Sequence, residues 1–166
     1  MTRFPATTRE APPVRRGTVL RAVAQVLDRR LDGILPRDVP GLDRAFADDL
    51  DLLGTLTLRW HARLGAQLDR ALDAPAEQRQ RAVAQAWATT AEQLRGVRRL
   101  LDRQAADPAS PGVRRLLVRS TEAEHALLAR AAGMPLASVN GRVLLEEGRR
   151  LVRPALADRL RALVPA

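Results

Sequence analysis

Two neighbouring stretches of this chain carry apolar residues at matching steps, and that match leaves few folds open. Phe46, Leu50, Leu53, Thr57, Trp60, Leu64 and Leu68 follow one another at steps of four, three, four, three, four and four, the spacing of one helix face. Val83, Trp87, Thr90, Leu94, Val97 and Leu101 repeat it at steps of four, three, four, three and four. Between the stripes stands Ala74-Pro75-Ala76-Glu77, where proline suits a first helical turn because its missing N–H would be unpaired there anyway. With a turn near Asp73 and Ala74, antiparallel pairing sets Trp60 level with Trp87, Thr57 with Thr90, Leu53 with Leu94 and Phe46 with Leu101. The expectation is a helical hairpin over about 43–106, its first arm roughly thirty residues long and N-capped by Asp43.

The flanking segments extend this into an all-α, antiparallel bundle of four or five helices. Residues 1–16, with Pro5, Pro12 and Pro13, read as a disordered tail ahead of a single helical domain over 17–166. Thr18 is the expected cap of a first helix with Leu20, Val23, Ala24, Leu27, Leu31 and Ile34 on its apolar face, stopped by Pro36. Ser110-Pro111 has the cap-then-proline form and opens a helix running to about Ala132, where Gly133 ends it. Its inward face is Val113, Leu116, Leu117, Ser120, Leu127, Leu128 and Ala131, and Glu124 falls on that same face. In the last segment, Asn140-Gly141 suits either a loop or a weak helical start, and Pro154 should kink or break the helix.

The net charge of +9 suggests an acidic partner, yet all 28 basic residues are Arg and none is Lys. Such complete replacement fits the coding bias of a GC-rich bacterial genome, so the charge says little about partners. Residues 36–73 are net acidic while the segments on either side are net basic, as expected of solvated helix faces. The absence of Cys excludes disulfides and thiol chemistry. The Arg15-Arg16 doublet has the form of a twin-arginine export signal, but Arg21, Asp28, Arg29 and Arg30 deny it an apolar region. With no apolar run long enough to span a bilayer, a cytoplasmic location is expected.

Several polar positions qualify as candidate sites. His61 lies close to the stripe of the first arm and should point inward, with Thr57 or Thr90 as partner. Glu124 should be buried and in need of an Arg or hydroxyl partner, and Trp60 and Trp87 pack on each other or offer a stacking platform. Together these residues form a candidate interior pocket. Arg95, Arg98, Arg99 and Arg103, joined by Arg114 and Arg115 across the Pro108 turn, form a candidate anion site. Glu122 and His125 have the Glu-x-x-His spacing of di-iron bundles but fall toward solvent, so no metal and no cofactor is expected.

No Gly-rich phosphate loop, Gly-x-Ser-x-Gly or inward carboxylate pair appears. The sequence therefore leads to a non-enzymatic bundle acting through protein-protein contacts, with self-association as one form of this. Its alternatives are a ligand-binding bundle with an interior pocket near His61 and, more weakly, Arg-mediated nucleic-acid binding.

Overall fold

A computed structural model describes residues 15–136 and 138–161, with side chains described for all of these except Ser138 and 153–161. Among them the chain forms seven α-helices: α1 (Arg16–Arg30), α2 (Leu42–Ala45), α3 (Asp49–Ala71), α4 (Arg79–Gln93), α5 (Arg95–Ala106), α6 (Pro111–Ala131) and α7 (Ser138–Arg161). A single 3-10 turn, Ala76–Gln78, leads into α4. Helices α3, α4, α7 and α6 pack in a ring, each against the next, and α1 lies on α5 beside this four-helix core. No described helix is long and apolar enough to cross a membrane.

The hairpin is present in outline, with both arms cut differently from expectation. The first arm is α3 at 23 residues, and its N-cap is Asp48, whose carboxylate accepts from the Asp51 amide at 2.8 Å. Asp43 instead sits in the separate short helix α2. Of the first stripe, Phe46, Leu53, Thr57, Trp60, Leu64 and Leu68 are buried, whereas Leu50 is exposed. It is the second residue of α3 and lines a groove with Ala109, Ser110 and Val113 at the start of α6. All six residues of the second stripe are buried, but they belong to two helices.

The second arm breaks at Leu94, whose φ of −123° and ψ of 37° leave the helical region. Two long-range contacts account for the new direction. The Gly96 amide donates to the Asp28 carboxylate of α1 at 2.8 Å, so an acid from another helix caps α5. A Cβ on Gly96 would lie 2.3 Å from the Leu27 carbonyl carbon, so only glycine lets α5 approach α1 this closely. Just upstream, Thr90 donates to the Ala86 carbonyl at 2.8 Å within its own helix.

The same device recurs where α7 joins the ring. A Cβ on Gly141 would lie 2.1 Å from the His125 carbonyl oxygen of α6, and one on Gly148 would lie 2.7 Å from the Trp87 ring of α4. Asn140-Gly141 is thus helical and marks a crossing. The break expected at Pro154 is not found, since α7 continues through it to Arg161.

The helix ends show where local signals sufficed. Ser110 caps α6 by accepting from the Val113 amide at 3.2 Å, with Pro111 as the first helical residue. Gly133 at φ 69° follows the end of α6, and the Met134 amide closes the turn on the Ala129 carbonyl at 2.9 Å. At the other end of the chain, α1 begins at Arg16, which places Thr18 inside the first turn and not at the cap. It stops at Arg30 with Leu31 left-handed at φ 50°, well before Pro36. The tail expected over 1–16 falls outside the described residues except for Arg15 and Arg16, and Arg16 is helical.

Candidate functional site

The two indoles meet edge to face, with ring centroids 6.0 Å apart and planes at 72°. This geometry brings the positive edge of one ring to the negative face of the other. Both rings are buried, so Trp60 and Trp87 act as core and offer no open stacking platform. The Arg98 guanidinium lies 4.9 Å from the Trp60 ring centroid and 5.8 Å from that of Trp87, which adds a cation–π contact to each.

Glu124 completes this cluster from α6. Its carboxylate accepts from the Trp87 indole N–H at 2.5 Å and from Arg98 Nη1 at 3.1 and 3.2 Å. Arg98 Nη2 turns to Asp102 at 2.5 Å, one turn along α5. Asp102 also receives Arg149 of α7 at 3.2 Å, and Arg149 reaches Glu146 at 3.0 Å. Burial by itself would lower the Arg98 pKa, but Glu124 and then Asp102 outweigh it and keep the guanidinium above its ordinary range. The expected Arg partner of Glu124 is therefore present, in the interior and not at a helix margin. With both oxygens engaged, this carboxylate is suited to pinning α4, α5 and α6 together and not to proton transfer.

His61 has a partner other than the threonines expected. It is half-buried at the α3–α6 boundary, where its Nε2 shares a hydrogen bond of 3.0 Å with Ser120 Oγ. Neither threonine serves it: Thr90 bonds within its own helix, and the buried Thr57 hydroxyl has no partner among the described residues. Desolvation lowers the His61 pKa below 6.5, opposed by the nearby charge of Glu124 and reinforced by Arg98. The imidazole is thus neutral near pH 7. His125 is also lowered, first by desolvation, and Glu122 is exposed. Among the described residues no group of His, Asp and Glu is arranged to hold a metal ion.

A cleft opens beside Trp87. About 750 Å³ in volume, it is lined by Leu31 and Asp32 after α1, Trp87, Ala91 and Glu92 of α4, and Arg149 and Val152 of α7. Helix α5 supplies Arg95, Arg98, Arg99, Asp102 and Arg103 to its wall. Four of the six candidate anion-binding arginines are thus brought together. Arg114 lines a different, smaller groove with His125, and Arg115 lines neither. Of the interior candidates only Trp87 reaches the cleft. His61, Glu124, Trp60, Thr57 and Thr90 do not.

Arg149, Val152 and Leu31 are cleft residues that periodicity could not assign. Their membership depends on how α7 and the end of α1 sit on α4 and α5. Gly148 was the one available signal, since a glycine inside an apolar helical pattern often marks a close crossing.

No family model, no curated protein and no solved structure matches this chain.

Proposed function

We propose that the chain is a non-enzymatic, cytoplasmic helical-bundle protein that works through protein-protein contacts, the first of them with a second copy of itself. One observation carries this reading. Val139 and Val143 stand four residues apart on the outer face of α7, with Leu136 just before that helix, each at least half exposed. The opposite face of α7 already meets the bundle through Gly141, Leu144, Leu145 and Gly148, so the outer stripe has no role in its own core. Apolar stripes of this kind tend to be covered by a partner.

A second copy is the occupant favoured by charge. Arg142 and Glu146, the latter already paired with Arg149 of its own chain but exposed, lie one turn apart beside the stripe, and an antiparallel copy turned about an axis near Leu144 sets Arg142 of one chain level with Glu146 of the other. An isologous contact of this type needs only one patch per chain. The ligand-binding reading centred on His61 has less support, because the imidazole is occupied by Ser120 and the cleft lies elsewhere.

Native mass spectrometry with light scattering across a concentration series tests the proposal. A dimer is expected for the wild type, and Val139→Glu with Val143→Glu should give a monomer of unchanged helical content. A wild-type chain that stays monomeric at every concentration, or a double variant that still dimerises, overturns it.

A further inference from the structure

We infer that the cleft between α4, α5 and α7 is a binding site for a small organic phosphate, a molecule joining a multiply charged phosphate group to an apolar organic body. Its lining divides in two. Leu31, Trp87, Ala91 and Val152 give an apolar part, and Arg95, Arg98, Arg99, Arg103 and Arg149 supply five guanidinium groups against three carboxylates, Asp32, Glu92 and Asp102. At about 750 Å³ the cleft falls within the range of sites that enclose small molecules. It is a single concavity, which suits a compact anion better than the extended backbone of a nucleic acid.

The charges are not all spent within the protein. Arg98 is held by Glu124 and Asp102, Arg149 by Asp102 and Glu146, and Arg103 donates to the Asp32 carbonyl at 3.0 Å. The Asp32 carboxylate is in turn engaged by Arg30 at 2.7 Å and by the Ile34 amide at 2.9 Å. Arg95 and Arg99 meet no carboxylate among the described residues, and both are exposed. They stand four residues apart on α5, where like charges repel and weaken the helix. A phosphate between them would turn that repulsion into attraction, and guanidinium forks match phosphate oxygens in pairs. Because Arg98 and Arg149 are fixed by their own ion pairs, the wall behind this anion is preorganised.

Leu31 supports the apolar half. It is the one non-glycine residue with positive φ among the described residues, at 50°, a conformation where glycine is usual. That conformation ends α1, with the Leu31 amide on the Leu27 carbonyl at 2.9 Å, and it sets the Leu31 side chain in the cleft wall. The inference does not depend on dimerisation, since every lining residue belongs to one chain and none belongs to the α7 stripe.

Three probes test the site in the full-length protein: ADP, inorganic pyrophosphate and adenosine, followed by calorimetry and by the emission of Trp87. ADP should bind most tightly, pyrophosphate more weakly and adenosine least. Arg95→Glu with Arg99→Glu should weaken ADP by about tenfold or more, while Arg114→Glu with Arg115→Glu, equal in charge change but outside the cleft, leaves it unaltered. Leu31→Gly should bring ADP down toward the affinity of pyrophosphate without changing pyrophosphate itself. Absence of ADP binding at low salt, or equal losses in the two arginine pairs, would overturn the site. Equal affinity for ADP and pyrophosphate in the wild type would overturn the organic body of the ligand.

Discussion

Two arginines in this molecule each join a carboxylate to an aromatic ring, in different surroundings. Arg98 pairs with Glu124 and Asp102 and lies over two aromatic rings, and Arg16 pairs with Asp51 at 3.0 and 2.5 Å, donates to Thr55 at 2.8 Å and lies 4.5 Å above the Phe46 ring. Burial separates them. The Arg98 and Glu124 side chains are 13% and 3% exposed, whereas those of Arg16 and Asp51 are 49% and 32% exposed. Water screens the outer pair and can solvate either partner if the other is lost. It cannot reach Glu124, so the inner pair adds little net stability when intact and is costly to break. A similar contact pattern therefore acts as a pin in one place and a surface tether in the other.

The sharpest way to break this contrast is Arg98→Met, which leaves Glu124 buried with only the Trp87 indole as donor. A loss of about 3–5 kcal/mol in denaturant unfolding is expected. Adding Glu124→Leu removes the stranded charge and should recover much of that loss, the signature of a desolvation cost. If Arg98→Met unfolds no more easily than wild type, the interior is wetter than its geometry implies.

Next comes Gly96→Ala, which asks whether the α1 side is seated as firmly as the core. Its Cβ would sit inside the Leu27 backbone, so α1 and α5 must separate, at a cost of about 1–3 kcal/mol. A tolerated alanine would mean that α1 docks loosely.

Acid titration gives a smaller effect with a definite sign. His61 and His125 both have pKa values lowered from 6.5 in the fold, mainly by desolvation. The unfolded chain then binds more protons below that pH, so stability present at neutral pH should decline as pH falls through 6.5 and beyond. His61→Gln should flatten part of that decline in thermal melts between pH 7 and 5. An unchanged pH profile would place the loss in other groups.

Arg16→Ala should have the least effect, a fall in Tm well below that of either substitution above. The effect should shrink further in high salt, because exposed charges are screened. A salt-independent loss comparable to that of Arg98→Met would erase the distinction between the two arginines.

The helical faces were legible because helix periodicity is a local property of the chain. Trp60, Trp87, Thr90 and Glu124 turn inward for the same reason as their apolar neighbours, namely the angle at which each leaves its helix. Ser110-Pro111 and Gly133 were equally readable, since caps involve residues only a few positions apart. The break at Leu94 was not. It follows from Asp28 and Leu27, more than sixty positions away, and the only local trace was Gly96 within an otherwise helical pattern. The partner of His61 was hidden for a related reason: its face was roughly right, but which helix would lie against that face was unknown, and α6 supplied Ser120.

The sequence by itself determined the all-helical class and which side of each helix seeks the core, because both depend on spacing along one segment. Tertiary structure alone decided which arginines are consumed and which remain. Arg95, Arg98 and Arg99 are nearly indistinguishable in the sequence. Only Arg98 comes within reach of Glu124, because α5 bends toward α1 and α6 folds back across it. Charge pairing depends on distances between segments, and those distances exist only once the helices are packed.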